Sequence, residues 1–112
     1  MGKLLDRIRV RGAVSDIQSL FSAARHLAIA RSAQSTVEID TARRTIYLSV
    51  GIDTVHKRDI GAEHDVRISA TRTRMSYSPT GIGYGAANLS VVVRRNAFAD
   101  TVFVSRLGRV RH

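Results

Sequence analysis

The chain has 112 residues, 44% of them apolar, and no cysteine. That length suits one domain, burying roughly two thirds of its unfolded surface, and the lack of cysteine excludes disulfides, thiolate metal sites and cysteine nucleophiles. Eighteen Lys and Arg, sixteen of them Arg, against nine Asp and Glu leave a net charge of +9. Such a surplus attracts polyanions such as nucleic acid, anionic lipid headgroups or an acidic partner, and says nothing about fold.

The first third reads as helix. Val14, Ile17, Leu20, Phe21, Ala24, Leu27 and Ala28 recur at the three-and-four spacing of one helical face. Ile17, Leu20, Phe21, Ala24, Leu27 and Ala28 are the expected packing stripe. Arg25, His26 and Arg31 interrupt this stretch, so nothing approaches the roughly 18 apolar residues of a membrane span. Ser15 or Asp16 is expected to cap the helix or supply its first-turn acid. Upstream, "LLDRIRVRG" is amphipathic too, with Leu4, Leu5 and Ile8 opposed to Arg7 and Arg11. Gly12 is expected to kink or separate the two parts, dividing a helical stem over 1–13 from a globular domain over 14–112. The helix is expected to end near residues 32–35, where small polar residues replace the pattern.

The remainder reads as strands. "STVEID" and "TIYLSV" alternate, joined by a hairpin loop at "DTARR". "DVRISA" and "MSYS" are short strands, the second stopped by Pro79. "NLSVVVRR" and "DTVFVS" form the most strand-like pair, joined by "NAFA". Residues 51–65 read as loop with at most a short strand. The fold class is α+β: one N-terminal amphipathic helix lying across antiparallel sheet of about five to six strands.

Little here points to catalysis. "GIGYG" lacks the following helix that a phosphate-cradling loop needs, so Gly81, Gly83 and Gly85, with Asn88, are read as a structural turn. His26, His56, His64 and His112 match no metal motif, and nine acids provide no paired carboxylates. The chain is expected not to be an enzyme and to need neither cofactor nor metal.

The ending "SRLGRVRH" carries three arginines in eight residues. In an extended chain after Gly108, Arg109 and Arg111 point one way and Val110 the other. Val110 can then dock on the domain with both guanidiniums outward; a solvated basic end is the alternative. Arg94 and Arg95 join this patch if the hairpin register brings them near.

Three stretches together resemble the GspH/FimT family of minor pilins and pseudopilins: "SLFSAARHLAIARSAQSTVEI", "YSPTGIGYGAANLSVVV" and "TVFVSRLGRVRH". The resemblance spans residues 14–112. It implies a pilin-like fold, and a subunit of a type II secretion pseudopilus or a type IV pilus that assembles with other pilins. It also implies a location in the cell envelope, with a hydrophobic helix half ahead of this chain crossing the inner membrane once and the domain in the periplasm or an extracellular pilus. Some members take part in DNA uptake through a basic C-terminal motif, which Gly108, Arg109, Val110 and Arg111 match. The alternative function is therefore sequence-independent DNA binding in natural transformation, with Arg106, Arg109, Arg111, Arg94 and Arg95 as candidate contacts.

Overall fold

The structure, a computed structural model, describes residues 2–84, 88–105 and 110–111. A single helix, α1 (Gly2–Arg31), opens the chain. Its buried residues Asp6, Val10, Ala13, Val14, Ile17, Leu20, Phe21, Ala24 and Ala28 form one stripe, and Leu27 packs partly buried beside it. At about 1.5 Å per residue such a helix is about 45 Å long, and the molecule's greatest extent is 47 Å. Leu4, Leu5 and Ile8 are exposed. Among the described residues no helix is long and apolar enough to cross a membrane.

Two sequence expectations fail in α1. The helix runs through Gly12 without a break, and Asp16 lies in its middle rather than at its start. Gly12 serves close approach instead: a Cβ there would come within 3.0 Å of His64 Nδ1. The helix closes at Ser32, whose φ of 49° is left-handed, with the Ala33 N–H donating to Ala28 O at 3.1 Å. That six-to-one bond is the Schellman ending, made here without the usual glycine.

Nine strands follow among the described residues. One sheet contains β1 (Ser35–Asp40), β2 (Thr45–Val50), β3 (Asp53–Arg58), β5 (Arg74–Tyr77) and the two-residue β6 (Gly83–Tyr84), in the order β3-β2-β1-β5-β6. The other contains β4 (Arg67–Ala70), β7 (Asn88–Arg95), β8 (Phe98–Ser105) and the two-residue β9 (Val110–Arg111), in the order β4-β7-β8-β9. All these pairings are antiparallel. The six strands foreseen from alternation are present, and β3, β6 and β9 are added to them. Val37, Ile39, Ile46 and Leu48 from the first sheet and Leu89, Val91, Val93, Val102 and Val104 from the second enclose the helix stripe in one core.

Residues 51–65 are more ordered than their composition suggests. Beside β3 they hold a one-turn helix, α2 (Ile60–His64). Asp59 caps it by accepting from Ala62 N, and Ile60 is fully buried. The strand shows no apolar alternation because it is a solvent-facing edge, with only Val55 touching the core.

Candidate functional site

The basic tail approaches the second sheet through β9. Val110 pairs with Val104, whose side chain is buried, and Arg111 pairs with Phe103, whose side chain is exposed. Arg106, Gly108 and Arg109 lie outside the described residues, as does Gly85 in the glycine turn.

The β7–β8 register separates Arg94 and Arg95 from this strand. Arg94 pairs with Ala99 and Arg95 with Phe98, at the turn end of the hairpin, whereas β9 lies beside Phe103 and Val104. Four to five residues of strand intervene, about 14–17 Å. The two arginines also differ in kind. Arg94 is exposed. Arg95 donates through Nη1 to Asp6 Oδ1 and through Nε to the Asp65 carbonyl at 3.2 Å, and its Nη2 lies 3.3 Å from Asp65 Oδ2. Asn96 Nδ2 also donates to Asp6 Oδ1, at 3.1 Å. A short charged strap thus ties the start of α1 to the β7–β8 turn, and the Arg7 guanidinium lies 5.6 Å from the centroid of the Phe98 ring beside it. Asp6 is 6% exposed, low for a carboxylate, because two donors from the turn cover it.

At the other end of α1, Arg25 Nε donates to the Gly81 carbonyl at 3.1 Å. Gly81 has φ +85°, and a Cβ there would meet Ile29 Cδ1 at 2.8 Å. Gly83 pairs with Tyr77 in the short β5–β6 ladder, and Asn88 opens β7 opposite Ser105. Tyr77 is fully buried beneath this region, and its phenol is pushed up to about 12 by desolvation, against the opposing pull of Arg25.

Composition could not reveal one cluster. Asp16 of α1 receives His64 Nε2 at 2.6 Å and Arg58 Nη2 at 2.8 Å, and the same guanidinium reaches Glu63 at 2.6 Å. Asp16, Glu63 and His64 place their ligand atoms within 4.8 Å of one another. Arg58 already supplies the positive charge these carboxylates need. Its hydrogen bond holds the Glu63 carboxyl below the usual carboxylate range, and Glu63 in turn raises Arg58. The cluster fastens β3 and α2 to the helix.

A long N-terminal helix laid against two antiparallel sheets is a pilin-like fold. The chain is similar to the type IV minor pilin FimU of Pseudomonas aeruginosa. One crystal form gives a TM-score of 0.79 at 12% identity, covering 94% of this chain and 88% of that one. A second gives 0.74 at 10% identity, with 90% of each chain covered. It is also similar to EpsH, the minor pseudopilin of the type 2 secretion system of Vibrio cholerae, with a TM-score of 0.70 at 8% identity, covering 92% of this chain and 94% of that one. No family model and no curated protein sequence matches the chain.

Proposed function

We propose that the chain is a minor pilin or pseudopilin of the GspH/FimT kind, a non-catalytic subunit of a type II secretion pseudopilus or a type IV pilus. The observation that carries this is the likeness in fold to FimU and EpsH over nearly the whole chain. On this reading residues 1–13 form the stem, and a hydrophobic segment ahead of them holds the protein in the inner membrane before assembly. Leu4, Leu5 and Ile8, exposed on the stem, then meet neighbouring pilins. The lack of cysteine in this chain makes the test clean. Leu4→Cys or Ile8→Cys in the full-length protein should cross-link to other pilins in isolated filaments. Cross-linking no stronger than from Ile52→Cys, an exposed position near the far end of α1, would reject the assignment.

A second reading, DNA binding through the tail, is supported by the net charge of +9 and by the pairing of Arg111 beside exposed Phe103. Three to five phosphate contacts would give a salt slope of roughly −0.9 per phosphate on duplex DNA. Arg109→Ala/Arg111→Ala should weaken binding and flatten that slope by about 2. Unchanged affinity and slope would remove the tail from any role with DNA.

A further inference from the structure

The register that parts Arg94 from the tail gives it another neighbour. Arg67 of β4 and Arg94 of β7 are direct antiparallel partners. Both are exposed, and neither has a carboxylate within salt-bridge distance among the described residues. Like charges directly opposite on adjacent strands, with Cβ atoms about 5 Å apart, destabilise a sheet. These two line a surface cleft of about 510 Å³ together with Arg44, Arg95, Asp65 and Asn96. Arg44 and Arg67 also line a second depression of about 390 Å³ alongside.

Arg44 is directed there by its surroundings. Its Nη1 donates to Val66 O at 3.0 Å, and its side chain runs over Gly61, where a Cβ would clash with Arg44 Cβ, Cδ and Nε. Its own φ of 55° is left-handed, an uncommon conformation for an arginine. Arg95 is neutralised by Asp6 and Asp65. Among the described residues, Arg44, Arg67 and Arg94 are left lining one cleft with no acidic side chain but the shared Asp65.

We propose that this cleft binds a phosphoryl group. Three guanidinium forks exceed what a carboxylate can use, having two oxygens and one charge. They match a phosphate, which offers more oxygens and up to two charges. The bound anion would also relieve the repulsion between Arg67 and Arg94. The phosphoryl group can come from free phosphate or from a lipid headgroup that ends in a phosphomonoester, and the cleft lies beside the strap to the first turns of α1, where Lys3, Arg7 and Arg9 add positive charge. The site is independent of the filament assignment.

Inorganic phosphate is titrated into the chain at constant ionic strength, with NMR shifts followed at the arginine Nε–H groups and the amides of residues 65–67 and 94–96. Shifts should saturate and concentrate at the cleft. Arg67→Gln/Arg94→Gln should weaken binding about tenfold or more, and should raise the melting temperature in phosphate-free buffer. Arg31→Gln/Arg72→Gln, which removes the same charge from exposed positions elsewhere, should leave affinity unchanged. Co-sedimentation with phosphatidylcholine vesicles, with and without phosphatidic acid, assigns the source. Pelleting that depends on phosphatidic acid and that Arg67→Gln/Arg94→Gln abolishes identifies a headgroup; saturable phosphate binding without pelleting identifies a free anion. Equal losses in the two double variants, or neither phosphate shifts at the cleft nor variant-sensitive pelleting, would overturn the proposal.

Discussion

Replacing Asp6 with alanine should cost the domain about 2 kcal/mol, although alanine is the better helix former. Removing one partner of a buried ion pair costs roughly 3–5 kcal/mol, because the other charge is stranded. Here the stranded group is the Arg95 guanidinium, whose side chain is 18% exposed and keeps both bonds to Asp65. That lowers the penalty to roughly 2–3 kcal/mol, and the gain in helix propensity returns about 0.5 kcal/mol. With an unfolding entropy of about 2.1 cal/mol/K per residue, a chain of this length has about 0.24 kcal/mol/K, so the melting temperature should fall by about 8 °C. Thermal and urea denaturation followed by circular dichroism read this directly. The cycle completed by Arg95→Gln and the double variant should show a coupling of at least about 1 kcal/mol. A change under about 0.5 kcal/mol in Asp6→Ala, or a coupling of zero, would refute the strap as a stabilising element.

Ser32→Gly should stabilise by about 0.5–1 kcal/mol, since glycine takes the left-handed helix ending without the Cβ penalty; a lower urea midpoint would contradict the Schellman geometry. Gly81→Ala should do the opposite, lowering the midpoint by more than about 1 kcal/mol equivalent with m unchanged, from its positive φ and its clash with Ile29. Tyr77 sets an alkaline limit. The unfolded phenol ionises near 10 while the folded one holds its proton up to about 12. The folded state therefore binds more protons in that window, and stability should fall as pH rises through it. Tyr77→Phe should remove this slope, and a tyrosinate absorbance titration of that folded variant should lack the late step.

The strands that bury a face announced themselves. The alternation in β7, carried by Leu89, Val91 and Val93, and the stripe from Ile17 to Ala28 follow from periodicity alone, because burial on one side imposes the period. What escaped has no such imposition. The edge strand β3 packs almost nothing, and α2 is one turn long, too short for a helical period to register. Gly12 looked like a breaker because a sequence shows the missing side chain but not the His64 ring that occupies its place. The site was legible only as composition. Arg67 and Arg94 stand 27 positions apart, and their confrontation exists only through the β4–β7 register. Asp6 and Arg95 meet across 89 positions, a distance that no local pattern encodes.

The two ties on α1, Asp6 to the β7–β8 turn and Arg25 to the Gly81 carbonyl, have a mechanical consequence. Nineteen residues of helix separate them, about 28 Å. A pull on the helix start along its axis is therefore borne in shear by both fastenings and by the whole apolar seam between them. The helix cannot be peeled away from one end, turn by turn, until the first tie has yielded. Load entering at the stem is passed into the second sheet at once through Arg95 and into the glycine turn through Arg25, so the domain transmits tension as a unit.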